Sequence, residues 1–554
     1  MQPQPPLQQE QEQQLQQQPG AAADDTDNDP SCVWLPEVVH HFAGFLGGNK
    51  LACTLRLVNK ATAAQFRGPQ HTTVRLPLLV PHHAFAWRWG RSDATRSLAV
   101  WQRKRLPCLT ACSGSVANLE VLLARDDLTS PLDAAVLEDA ASAGQLEVCR
   151  WLRQQGCPWG GDMLCAAAGA GHKEMCEWLL DEGCDMDERT AAAAARGGHV
   201  GLMDWLLART AGAQRPNACN LLTGVAAGCD LPTLQRLHSL HHTYLGIRGG
   251  ELSDYGLELV VAAAAGSSTA GWRDKVVWLE GQGHPRSKFA CEEAAVRVDS
   301  RERLEWLQQR GYPITAGVVC TAARHGNVDA LEFLLAQGVP LGGGLALDAT
   351  SYAARGGHLA ALKVLCSNGA RIDHGTVIQA AANKHLPVVA WLVETLGATV
   401  ALTTEVYGAA ASYSYSSAEL VAWLHQHGCP WDASVFGTAA GSGSEEQLEW
   451  LVEHGCPMGE NGAPYRQALH SADMAMLACL RRLGCPWGPV GRTFTFAIDF
   501  CSDSCSVSAP VVRKQQLLAL TWLVEQGCPV NWAEAEQQVK QRGDGEVLAL
   551  DAVF

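Results

Sequence analysis

The residues whose types could support chemistry are the cysteines and histidines, 21 and 19 in a chain of 554 residues. Five cysteines recur in one setting: Gly156-Cys157-Pro158, Gly428-Cys429-Pro430, Gly455-Cys456-Pro457, Gly484-Cys485-Pro486 and Gly527-Cys528-Pro529. A zinc centre needs four Cys or His ligands at about 2.0–2.3 Å. These thiols come once per repeated unit, so stacked units set successive ones roughly 8–10 Å apart, too far for one tetrahedral ion. They read as packing groups, since an unpaired Cys behaves as a small apolar side chain. Cys501 and Cys505 are the one close pair in a loop-like stretch, and a lone C-x-x-x-C supplies too few ligands. His172, His199 and His358 each follow a turn glycine and read as hydrogen-bond partners of a neighbouring turn, because no base-orienting group accompanies them. The chain contains no G-x-S-x-G elbow, phosphate loop, H-E-x-x-H or convincing dinucleotide fingerprint. The expectation is a protein that is not an enzyme, with no catalytic, cofactor or metal site.

The elements that carry these residues are repeats. GQLEVCRWLRQQGCPW at 144–159 aligns with GHKEMCEWLLDEGCDM at 171–186, 27 residues further on. The frame returns from Gly198, Leu304, Gly326 and Leu448, with weaker units around 119–125, 234–240, 364–369 and 476–484. Its anchor is an aromatic residue followed by leucine: Trp151, Trp178, Trp205, Trp278, Trp306, Phe333, Trp391, Trp423, Trp450 and Trp522. An apolar residue stands two positions before each anchor and pairs at i, i+3 with the leucine after it, a helical stripe. These aromatic anchors are expected to form the structural core of the repeats.

Upstream of the stripe lies an alanine pair and then a glycine, as in Ala140-Ala141 before Gly144, Ala167-Ala168 before Gly171, Ala194-Ala195 before Gly198 and Ala322-Ala323 before Gly326. This pattern predicts a first, slim helix that ends where glycine can enter the left-handed region. Each unit is then a helix-turn-helix hairpin. The fold class is all-α, an elongated solenoid of about fourteen stacked hairpins over 109–530, since one hairpin alone cannot bury its stripe. Residues 531–554 are expected to form a C-terminal capping helix and tail. Residues 1–30, rich in Gln and Pro and then acidic, are expected to form a disordered tail. Longer connections at 211–256, 339–349, 412–417 and 488–515 are candidate partner contacts, with Tyr413 and Tyr415 as aromatic anchors.

Composition narrows the partners. The formal net charge of −15 disfavours nucleic acid, and no apolar run is long enough for a membrane span. Without a secretory or transit-type N-terminus the expected location is cytoplasmic or nuclear, with reduced thiols.

The pattern A-A-x-x-G-H followed by W-L-x-x-x-G-C resembles the ankyrin repeat family, and Gly171-His172, Gly198-His199 and Gly357-His358 match the family's Gly-His turn. It departs in lacking T-P-L-H and in a usual spacing of about 27–31 residues against about 33. The shortened links leave little room for the recognition finger. Residues 33–66 resemble an F-box: Leu35, Pro36, Val38, Val39, Phe42, Phe45, Leu46, Leu51, Leu57 and Val58 follow its order of Leu-Pro, apolar helix and leucine-rich helix, with Arg56, Asn59 and Lys60. That resemblance implies docking of these residues on the adaptor subunit of a cullin-based ubiquitin ligase. Residues 31–75 are thus either an F-box-like segment or an N-terminal cap. The functional expectation is a non-catalytic protein-interaction scaffold that presents a protein partner to such a ligase. The alternatives are a plain ankyrin-type scaffold and an enzyme with a polar site on the concave face.

Overall fold

The computed structural model describes residues 35–125, 127–128, 132–209, 217–244, 253–341, 348–412, 418–503 and 510–542. The expectations for residues 1–30, for Tyr413 and Tyr415, for the Cys501 and Cys505 side chains and for the tail beyond 542 lie outside the residues and side chains described. Among the described residues every regular element is a helix. The chain divides into two compact units at Arg75.

The first unit is small. Its helices are Pro36–Ala43, Gly48–Cys53, Lys60–Gln65 and Pro69–Thr72. Proline starts the first of them because its missing N–H falls where no intrahelical partner exists. Asn59 caps Lys60–Gln65 by accepting from Thr62 N at 2.8 Å, and Asn49 exchanges two hydrogen bonds with the Arg75 backbone. Val39, Leu51 and Phe66 form its core.

In the second unit, fourteen successive helix pairs run from Val100–Cys112 with Val116–Leu123 to Arg492–Asp503 with Pro510–Glu525. The helix Trp532–Arg542 follows and buries Ala535 and Val539. Each first helix packs on the first helices before and after it, as Met163–Gly169, Thr190–Arg196 and Ala218–Gly228 do. The alanine pairs are the contact surface: Ala140, Ala141, Ala167, Ala168, Ala194 and Ala195 are all 0% exposed. A methyl side chain lets helix axes come close, and the area is removed from water without loss of rotamer freedom. Gly144 (φ 71°) and Gly171 (φ 83°) make the turn within their pairs.

Each second helix buries the residue two before the anchor and the leucine after it, as with Cys149 and Leu152, Leu304 and Leu307, or Leu448 and Leu451. The anchors differ from the expectation. Trp151, Trp178, Trp205, Trp278, Trp306, Phe333, Trp391, Trp423, Trp450 and Trp522 are only partly buried and pack against the core from outside. Helix geometry explains this: at about 100° per residue, the anchor points on the order of 120° away from the centre of the stripe its neighbours define. The aromatic ring closes the flank of the core, and the leucine fills it.

One buried charge is built into the stack. Lys275 is 0% exposed, and its Nζ donates to Ala226 O (2.6 Å), Cys229 O (2.9 Å) and Ser267 Oγ (2.8 Å). Burial pushes its ammonium down to about 8. The two carbonyl acceptors lie at the C-terminal end of the helix Ala218–Gly228, where carbonyls lack intrahelical partners and the helix dipole favours a cation.

Candidate interaction surfaces

The F-box-like residues separate into two groups in the first unit. Val39 and Leu51 belong to its core, and Leu46 is half-buried. Leu35, Phe42, Phe45 and Leu57 are 56%, 58%, 77% and 67% exposed, and Pro36, Val38 and Val58 are also exposed. The helix Pro36–Ala43 turns Val39 inward, so residues before and after it on the same helix face outward. Leu57 is held in a 3-10 turn, Leu55–Leu57, which buries no side chain. His41 sets its ring edge-on to Phe45 at 5.2 Å. Several large apolar side chains of this small unit are thus left in water.

The second surface is the flank of the second helices. The tryptophan of each Cys-Pro-Trp link packs beside the anchor of a following pair: Trp159 on Trp178 (6.0 Å between centroids), Trp431 on Trp450 (6.3 Å) and Trp487 on Trp522 (6.2 Å). Sequence reasoning singled out the anchors and missed these partners, although the repeated Trp after Cys-Pro was a usable signal. Arginine and histidine side chains cover several rings. Arg153 lies 4.0 Å from the Trp159 centroid, Arg310 lies 5.0 Å from that of Trp306, and His427 and His454 stack on Trp423 and Trp450 at 3.8 and 4.0 Å. The face is amphipathic, with aromatic area beneath and polar groups at the rim.

The turns between paired helices form a hydrogen-bonded ladder. His172 Nε2 meets Ser142 O at 3.0 Å and His385 Nε2 meets Arg355 O at 3.0 Å, while His358 bonds to the backbone of Arg324. Asn327 donates to Ala295 O (2.5 Å) in the same register. A side chain on Gly144 would collide with the His172 ring, and one on Gly171 with that of His199, so these glycines are required by close approach as well as by their positive φ. The histidines bridge repeats, as their position after the turn glycine indicates.

His358 carries a pH dependence. Burial, with His385 and His325 nearby, holds its pKa below the ordinary value. The unfolded chain therefore takes up this proton first as pH falls below about 6.5, and folded stability declines there. His358→Asn, which keeps a donor as Asn327 does, is expected to flatten the acid side of a melting-temperature profile between about pH 6.5 and 5. An unchanged slope would show that His358 does not set it.

The Gly-Cys-Pro thiols are links of the same kind. Cys157 Sγ donates to Asp133 O at 3.4 Å, and Cys429 Sγ to Thr403 O at 3.3 Å. Burial pushes the thiols of Cys149, Cys157, Cys176, Cys429 and Cys485 up to about 12, so none presents a thiolate near neutrality. Among the described residues no group of three or more His, Cys, Asp or Glu side chains is placed to hold a metal ion, and no helix is long and apolar enough to cross a membrane.

Comparison with known proteins agrees with this geometry. Residues 137–218 match the family model of ankyrin repeats, in three copies. No curated protein matches the chain. Among solved structures it is similar to the pentatricopeptide repeat protein PPR10 from maize, at 12% identity and a TM-score of 0.25, over 91% of this chain and 82% of that one. A structure of PPR10 in complex with an 18-nt psaJ RNA element matches at 12% identity and TM-score 0.25, over 92% of each chain. The class defined by fold and surfaces is a repeat-based scaffold for protein–protein interaction. The residues that match the ankyrin repeat model lie within the second unit.

Proposed function

We propose that this protein is a non-catalytic substrate receptor that holds a protein partner on its helical repeats and docks through residues 35–58 on the adaptor subunit of a cullin-based ubiquitin ligase. The observation that carries the reading is the outward-facing set Leu35, Phe42, Phe45 and Leu57, each more than half exposed on a unit whose own core needs only Val39, Leu51 and Phe66. These are positions where the F-box resemblance calls for contact with the adaptor. The partner on the repeats is a protein, because the amphipathic aromatic flank suits protein side chains and the net charge of −15 repels a phosphate backbone. The repeats contribute binding in this reading. The protein works where cullin ligases do, in the cytoplasm or nucleus.

The test is capture of the purified adaptor by the full-length chain, comparing wild type with Phe45→Ser/Leu57→Ser. Both residues are exposed, so the fold should survive. Each removed apolar anchor is expected to weaken capture about tenfold or more. A folded wild-type chain that fails to capture any such adaptor would remove the ligase from the reading and leave the scaffold.

A further inference from the structure

Within the second unit, residues far apart in sequence meet. Arg103, on the helix Val100–Cys112, pairs its Nη2 with Asp473 Oδ2, 370 positions away, and both side chains are buried, at 4% and 1% exposed. Arg103 also donates from Nη1 to Leu98 O at 3.0 Å, which fixes the guanidinium. Asp473 Oδ1 accepts from Met476 N at 3.1 Å, so one carboxylate caps the helix Met474–Arg482 and takes the arginine. Beside this pair lies a four-charge network. Arg96 Nη2 reaches Glu449 Oε1 at 2.5 Å, and Arg482 Nη2 reaches Glu445 Oε2 at 3.0 Å and Glu449 Oε1 at 2.6 Å. Glu446 N donates to Arg96 O at 3.4 Å, so the backbone of residue 96 satisfies an amide at the start of the helix Glu445–Glu453.

The sequence departs from its own repeat at the point of contact. Asp473 follows the positive-φ Ala472, the register in which the other turns carry His172, His199, Asn327, His358 or His385. His172, Asn327, His358 and His385 bond to a carbonyl of the preceding turn. An ionised carboxylate only accepts, so it cannot make that bridge. Ser471 makes it instead, from Oγ to Gly441 O at 2.5 Å. Asp473 is thereby free of the ladder and available to Arg103.

We propose that residues 96–103 form a reversible clasp on the pairs Ala433–Ser442 with Glu445–Glu453 and Ala463–His470 with Met474–Arg482, closing the repeat array on itself, and that its release is the conformational step through which the array changes between closed and open states. Neighbouring pairs are joined by buried alanine and leucine, whereas the ion pairs and hydrogen bonds across this contact come from five charged side chains, Arg96, Arg103, Glu445, Glu449 and Asp473, and one backbone bond. Burial of Arg103 and Asp473 carries a desolvation cost that offsets much of their attraction, and Arg96 and Arg482, 37% and 50% exposed, are screened by salt. Polar contacts of this kind open while the packed units on either side stay folded.

Hydrogen exchange on the full-length chain tests the clasp. The amide of Glu446 should be protected in wild type at low salt and exchange about tenfold faster in Arg96→Glu/Arg103→Glu, with those of 173–181 unchanged as an internal reference. In wild type, raising salt from about 0.05 M to about 1 M should screen the exposed Arg96 pairs and produce part of that gain, and small-angle scattering of the double variant should show an increased radius of gyration. Folded variants with unchanged exchange at Glu446 overturn the proposal. Where the double variant does not fold, Arg103→Gln, which keeps the side chain's reach and loses its charge, decides, and protection of Glu446 equal to wild type overturns it.

Discussion

Leu307→Ala is expected to lower the local unfolding free energy of its repeat by about 3–5 kcal/mol, while Trp306→Leu beside it costs only about 1 kcal/mol. Leu307 is 0% exposed in the continuous core, so truncation leaves a cavity that the neighbouring pairs cannot fill. Trp306 lies on the flank, edge-on to Trp272 at 5.0 Å and under Arg310 at 5.0 Å. A leucine there keeps part of the apolar cover and forfeits mainly the aromatic contacts. The measurement is native-state hydrogen exchange of the helix Ser300–Gln309 under mild urea, because repeat arrays need not unfold in one step. A larger loss for Trp306→Leu than for Leu307→Ala would place the tryptophan in the centre of the core.

The second large effect is expected from Lys275→Met, at about 3–5 kcal/mol. Methionine fills similar volume but leaves Ala226 O, Cys229 O and Ser267 Oγ without the ammonium that now serves all three. The loss should appear as early urea-induced exposure of the helices Ala218–Gly228 and Trp272–Gly281, read by exchange, with distant repeats unaffected. A Lys275→Met protein as stable as wild type would show that these acceptors find other partners.

Much of the fold was legible because local pattern and neighbour packing coincide. An alanine pair, a turn glycine and an apolar-x-Trp-Leu stripe define a hairpin, and stacking is the way such a stripe leaves water. The aromatic anchors were harder to place, since tryptophan draws attention by its size. Turning the helix wheel by two residues from Cys149 or Leu304 puts Trp151 or Trp306 on the flank, and that step uses nothing beyond the sequence. Lys275 was not visible in advance, because its two carbonyl acceptors lie 46 and 49 positions away and no local feature marks a buried ammonium. The F-box-like segment sits between these cases. Its apolar order is plain, but an apolar pattern does not say which residues serve the unit's own core, as Val39 and Leu51 do, and which face outward, as Phe42 and Phe45 do.

The pairing of Arg103 with Asp473 also bears on how the chain is made. Contacts such as Cys157 with Asp133 span 24 positions, so each hairpin can settle on the one before it soon after it is synthesised. Arg103 must wait for a partner 370 residues later, a delay of roughly 20–70 s at ordinary rates of translation. During that interval the early repeats are folded with an arginine still in water, and the burial of that charge waits until residue 473 has been synthesised.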